Sequence, residues 1–134
     1  MGIDYGDTRT GLAISDGEGR LAFSIGAVTA KNIETAAALV ADKIREHGAE
    51  AIVLGLPKNM DGSEGFRAEK TRKFAAALGE LFPKMPVDFL DERLTTKAAE
   101  YYLNATNTRG KKRKNTVDTM AAQIILQDYL DQKK

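Results

Sequence analysis

The chain has 134 residues, 43% hydrophobic and 29% charged, the size and balance of one globular unit whose core needs no disulfide or metal staple. The absence of cysteine excludes a disulfide scaffold, a thiolate nucleophile and a cysteine zinc site, and the single histidine, His47, makes His-based triads and metal clusters poor prospects. The net charge of +1 argues at first sight against a nucleic-acid partner, but five of the 20 basic residues fall between Arg109 and Lys114, leaving 15 bases against 19 acids elsewhere.

In chain order, Ile3 to Tyr5 and Gly11 to Ser15 read as short strands. Asp16-Gly17-Glu18-Gly19 is a turn signal. Leu21, Phe23, Ile25 and Ala27 then alternate with smaller or polar residues, the period of a half-buried strand. These three pieces form an expected antiparallel meander. Ile33, Ala36, Ala37, Val40 and Ile44 mark a helix face, with Asn32 to cap its start and Gly48 its end. Ala51 to Leu54 is a continuous apolar run, as in a strand buried on both faces. Phe66, Phe74, Leu78 and Leu81 stripe a second helix that Pro83 closes, and Pro86 to Leu90 is a fifth strand. Thr95 to Asn104 is expected to be helical, Thr106 to Lys114 a polar loop, and Asn115 to Tyr129 a last helix with Val117, Ala121, Ile124 and Leu126 inward.

The order strand–strand–strand–helix–strand–helix–strand–helix–helix predicts an α/β fold. Right-handed crossovers make the first, fourth and fifth strands parallel. Ligands gather at the carboxyl ends of such strands. We find no repeat, no low-complexity tract and no linker, so residues 1–134 are expected to be one domain. No secretory signal is recognisable at the start, and the longest apolar runs, such as Ala36 to Ala41, fall far short of a membrane span. A cytoplasmic protein with no membrane contact is expected.

Four segments carry chemistry. Asp4 ends the first strand in Gly2-Ile3-Asp4-Tyr5-Gly6, where a carboxylate either binds Mg²⁺ or caps a turn. Gly55 to Ser63 follows the central strand. Its amides, with Ser63 and Lys58, either receive a phosphate or form an ordinary loop. Asp91-Glu92-Arg93 follows the fifth strand, and two adjacent acids are either a solvated cluster or are neutralised by a cation or the arginine. Asp118 follows Asn115 at capping-box spacing, so it either caps the last helix or reaches the acids at the strand ends. Asp4, one of the Asp91–Glu92 pair and Asp118 would make an acidic triad. Two divalent ions roughly 4 Å apart in such a pocket can activate a water and stabilise a phosphodiester's leaving oxygen without a histidine or serine nucleophile. The cations around them, Lys58, Arg93, Arg109, Lys111, Lys112, Arg113 and Lys114, are the candidate phosphate-backbone contacts. Tyr101 and Tyr102 either stack on bases or pack in the core. No organic cofactor site is expected.

Gly2-Ile3-Asp4-Tyr5-Gly6, Gly55-Leu56-Pro57, Asp91-Glu92-Arg93-Leu94-Thr95-Thr96 and Val117-Asp118-Thr119-Met120-Ala121-Ala122 together resemble, in the right order, the motifs of the bacterial YqgF family, also called RuvX. The resemblance runs from residue 1 to about residue 131. It implies an RNase H-like fold related to Holliday-junction resolvases. The implied sheet has five mixed strands, three antiparallel and then parallel, flanked by helices. It implies a Mg²⁺- or Mn²⁺-dependent nuclease maturing the 5′ end of precursor 16S ribosomal RNA in ribosome biogenesis. Catalytic and metal-binding roles then fall on Asp4, Glu92 and Asp118. Only the resemblance selects Glu92 over Asp91. Family members usually carry several more residues before Asp4, so either this sequence starts part-way into the first strand or that strand is short. Structured RNA is the expected partner. The alternatives are a resolvase of branched DNA and a catalytically silent nucleic-acid-binding module. The segment Asp4-Tyr5-Gly6 followed by Gly11 also resembles the first phosphate loop of the actin and sugar-kinase superfamily, but those proteins close two lobes around a nucleotide, and this length accommodates one.

Overall fold

A computed structural model of the chain describes residues 1–92 and 110–133, with side chains described through residue 92 and again from residue 120. Five strands form one sheet in the order β3-β2-β1-β4-β5: β1 (Gly2–Asp4), β2 (Arg9–Ser15), β3 (Ala22–Thr29), β4 (Ile52–Leu56) and β5 (Val87–Asp91). As expected, β1, β2 and β3 pair antiparallel while β1, β4 and β5 pair parallel. The described helices are α1 (Ile33–His47), α2 (Phe66–Leu81) and α3 (Gly110–Gln132). One apolar layer lies under α1 and α2, around Ile3, Leu12, Val40, Ile44, Leu54 and Phe74. The other lies under α3, around Ala13, Val53, Ala122, Ile125 and Leu126.

Local chemistry sets the boundaries. The Asn32 side chain accepts the Thr35 N–H at 2.8 Å, and Gly48 at φ 65° ends α1 in the left-handed conformation that glycine adopts without strain. Asp16 accepts the Arg20 N–H at 2.8 Å and turns β2 into β3. These bonds hold its carboxyl below the usual carboxylate range. The register between β2 and β3 shifts between Leu12 and Ala13, a bulge beside Gly26 at φ 96°. The first strand spans three residues, is paired on both sides, and the Met1 carbonyl extends the ladder by accepting from Val53 N–H at 2.9 Å.

Three expectations are corrected. The stripe on α2 is not Phe66, Phe74, Leu78 and Leu81, because Phe66 and Leu81 are exposed; the buried face is Ala68, Thr71, Phe74 and Leu78. Small residues at two of those positions let α2 lie close to the sheet, a signal that a search for large apolar residues passes over. The last helix starts at Gly110 rather than Asn115, so the basic run Lys111–Lys114 is helical and not a loop. Lysine and arginine are good helix formers, and polarity alone does not break a helix. On α3 the inward face is Ala122, Ile125 and Leu126, with Ala121 and Ile124 only partly buried. The helix expected over Thr95–Asn104 and the segment Thr106–Arg109 lie outside the described residues.

Candidate active site

The site follows from strand alternation. Successive side chains on a strand point to opposite faces. On β1, Ile3 enters the layer under α1 and α2, so Gly2 and Asp4 belong to the α3 face. Gly2 shows this directly: a methyl group there would lie 2.7 Å from Leu126 Cβ and 2.9 Å from the Ala122 carbonyl oxygen. On β4, Val53 packs under α3, and Gly55 shares its face. On β5, Asp88 accepts a hydrogen bond from the Tyr129 hydroxyl and Leu90 packs under α3. Continued by one step, that alternation carries Glu92 to the α3 face. Val87 and Phe89 face the other way, with the Arg72 guanidinium of α2 4.8 Å over the Phe89 ring, and Asp91 follows them. Geometry therefore separates two acids that the sequence leaves equivalent.

Glu92 is only 9% exposed, and its N–H donates to the Leu56 carbonyl at 3.1 Å, continuing the β4–β5 ladder. Its side chain lies over Gly55. A methyl group at Gly55 would stand 2.6 Å from Glu92 Cγ and 2.7 Å from its Oε1, and would meet Ile125 Cδ1 closer still. Glycine at 55 is thus the seat of the carboxylate. The apolar run expected as a strand ends at Leu54, but β4 runs on to Leu56 and so includes Gly55.

Asp4, half-buried, lies on the same face. Its partner on β2 is Gly11, and the β1–β4 register, continued by one residue, sets it beside Gly55. Of the two glycines, Gly55 on β4 lies between Asp4 on β1 and Glu92 after β5, so that strand puts no side chain between the carboxylates, while Gly11 flanks Asp4 on the other side.

Helix α3 runs against the parallel strands. Its Tyr129 lies at Asp88 near the start of β5, and Ile125 lies at Gly55 near the end of β4. The helix N-terminal to Ala122 therefore extends toward the carboxyl ends of the strands. Asp118 occupies that stretch, one turn or about 6 Å before Ala122. It stands eight residues past the helix start at Gly110, beyond the first turn where capping acts. Two glutamines that the apolar pattern does not single out hold α3 against the edge strand. Gln127 accepts the Ala22 N–H at 2.9 Å and donates to the Arg20 carbonyl at 2.9 Å, and Gln123 donates to the Ala22 carbonyl at 3.1 Å. Their signal is a pair of amides four residues apart on a helix.

The loop after β4 is not a free phosphate cradle. Ser63 N–H and Oγ both bond Asp61 Oδ1, at 2.9 and 2.6 Å, and Ser63 Oγ accepts from Asn59 Nδ2 at 3.0 Å. The backbones of half-buried Lys58 and Glu64 form an antiparallel β-bridge across this loop. Arg93, Arg109, Tyr101 and Tyr102 lie outside the described residues, as do the side chains of Lys111, Lys112, Arg113, Lys114 and Asp118. Among the described residues no three His, Cys, Asp or Glu side chains are grouped to hold a metal ion. Asp4 and Glu92 supply hard oxygen donors on one face, a donor chemistry that suits Mg²⁺ or Mn²⁺. Among the described residues no helix is long and apolar enough to cross a membrane.

A family model described as RuvX: Holliday junction resolvase matches residues 1–132. A protein of Latilactobacillus sakei is 44% identical over 136 residues, covering 99% of this chain and 92% of its own length. One of Halothermothrix orenii is 45% identical over 131 residues, covering 98% and 93%. Each bears the name "Putative pre-16S rRNA nuclease". Among solved structures, Thermus thermophilus RuvC in complex with a Holliday junction substrate superposes with a TM-score of 0.62 at 18% identity, over 98% of this chain and 92% of that one. Fowlpox virus resolvase with its Holliday junction DNA gives 0.57 at 11%, over 98% and 96%. At these identities the likeness is one of fold, the RNase H-like fold of resolvases.

Proposed function

The chain belongs to the RuvX family, and from that premise we propose that it is a divalent-metal-dependent endonuclease that processes the 5′ end of precursor 16S ribosomal RNA. It is a hydrolase of phosphodiester bonds, acting as one RNase H-like unit in the cytoplasm. Asp4, Glu92 and Asp118 are the proposed metal ligands. The observation that carries this reading is the seating of Glu92 over Gly55 on the face that also bears Asp4.

Bound Mg²⁺ or Mn²⁺ would supply an activated water and stabilisation of the leaving oxygen. The chain's own contribution is placement. The Glu92 side chain is buried over Gly55, in the space that Ile125 also fills, so it has little rotamer freedom to lose on ligation. Apolar burial under α3 shields that side of the pocket from water. The basic turns at the start of α3, Lys111 to Lys114, are the proposed grip on the phosphate backbone, together with Lys58, Arg93 and Arg109. Such contacts give affinity without sequence readout.

A second reading, resolution of branched DNA, is favoured by the family model's own description. Purified protein is to be tested side by side on precursor 16S rRNA and on a four-way DNA junction, with and without Mn²⁺. The proposal expects metal-dependent cutting near the 5′ end of the mature RNA and an intact junction. Cutting of the junction alone would transfer the function to DNA, and binding with no cleavage in any divalent metal would make the chain a silent binding module.

A further inference from the structure

We infer that Phe66, the first residue of α2, displayed with Met60 of the loop after β4, is a stacking platform for an unpaired base of the nucleic-acid substrate. The inference rests on the nuclease reading above and adds a preference for single-stranded nucleotides beside the cut. Phe66 and Met60 are the two most exposed large apolar side chains among the described residues, at 70% and 78%. Their loop is internally tied, so their display is not a frayed end. Asn59 N–H donates to the Ser63 carbonyl and Gly62 N–H to the Asn59 carbonyl, each at 2.9 Å, with Gly62 at φ 88°. A methyl group at Gly65 would stand 3.4 Å from Asn59 Nδ2, so the residues just before Met60 and Phe66 touch, and both apolar side chains emerge from one knot of chain. Arg72 clamps the loop through Glu64, at 2.6 and 2.8 Å.

The surroundings match a nucleotide. Lys70 Nζ lies 4.6 Å from the centroid of the Phe66 ring and 3.0 Å from Asp7 Oδ1. Asp7 is three residues beyond Asp4, so this contact ties the platform to the loop leaving the proposed catalytic face. Arg67 lies on the first turn of α2, and Lys58 precedes Met60 by two residues. The acids close by are engaged within the protein: Asp61 with Ser63, Glu64 with Arg72 and Glu69 with Lys73. Lys70 covers one face of the ring and pairs with Asp7, so the base stacks on the other face, with Arg67 and Lys58 as the nearby cations for its phosphate. Two apolar side chains set among charges are too few for the buried centre of a stable protein interface.

The test uses Asp4→Asn as the parent, so that bound RNA stays whole. Fluorescence anisotropy compares a hairpin RNA carrying an unpaired loop with a blunt duplex of the same stem. Phe66→Ala is expected to weaken hairpin binding by about five- to 150-fold while changing duplex binding by no more than about two-fold. Phe66→Trp is expected to retain hairpin binding. Circular dichroism melting checks that the fold is kept, as an exposed side chain predicts. Unchanged hairpin affinity in Phe66→Ala, or equal losses on both RNAs, would overturn the inference and leave the nuclease reading standing. A parent that binds neither RNA would remove both.

Discussion

Gly55→Ala tests the seating of Glu92 most sharply. The added methyl must stand 2.6 Å from Glu92 Cγ and 2.7 Å from its Oε1, and it also collides with Ile125 Cδ1. Real carbon contacts lie near 3.5–4.0 Å, so the side chains must give by about 1 Å. Overpacking of this kind costs about 1–3 kcal/mol. The gain from restricting the unfolded chain offsets about 0.4–1 kcal/mol of that. A net loss of about 1–2 kcal/mol follows, which lowers the Tm of a domain this size by about 3–10 °C. Displacing a carboxylate by about 1 Å lowers cleavage by up to roughly a hundredfold. Thermal melting by circular dichroism and initial cleavage rates on precursor rRNA in Mn²⁺ read the two effects separately. The double variant Gly55→Ala/Ile125→Val removes one collision, so it should recover part of the Tm and little of the rate. A Gly55→Ala protein with unchanged melting and unchanged rate would refute the packing argument.

Other consequences are as direct. Gln127→Ala removes two bonds to the β2–β3 turn and edge strand and should cost about 1–2 kcal/mol in urea unfolding, with faster hydrogen exchange at the Ala22 amide; a neutral result would show that water replaces the glutamine fully. The hydrogen bond to Asp88, then burial and the Asp88 charge, raise the Tyr129 phenol above its ordinary value. Its contribution is therefore whole below pH about 10 and is lost as pH rises through the higher folded value. Tyr129→Phe should cost about 1 kcal/mol or less at pH 7, and that gap should close as the pH rises through the raised value of the folded phenol; a gap independent of pH would contradict the assignment. Changing Lys111, Lys112, Arg113 and Lys114 to alanine should weaken RNA binding irrespective of sequence and reduce the log–log salt slope by about 3. An unchanged slope would show that the run faces away from the RNA.

The sheet was readable because its signals are local. Ala51 to Leu54 is apolar at every position, as a strand covered on both faces requires, and Asn32 and Gly48 bracket α1 with residues chosen by backbone hydrogen bonding. What escaped was decided by contact between distant segments. Gly55 looked like the start of a loop, and only the approach of Ile125 and Glu92 shows why a side chain is excluded there. Asp91 and Glu92 are neighbours of like chemistry, and the strand's two-residue period, fixed by the packing of Leu90 and Phe89, separates them. Charge alone does not mark a loop, and α3 begins at Gly110 because Lys and Arg are good helix formers. Phe66 seemed a core position by spacing, yet the face of α2 was set by Ala68 and Thr71, which allow the helix to sit close to the sheet.

The central claim is that carboxylates on the α3 face hold the metal that cuts the RNA. Cleavage of precursor 16S rRNA in Mn²⁺ by wild type and by Asp4→Asn, purified alike and matched in Tm, tests it most directly. The account predicts metal-dependent cutting by wild type and none by Asp4→Asn. Full metal-dependent cutting by Asp4→Asn would contradict it.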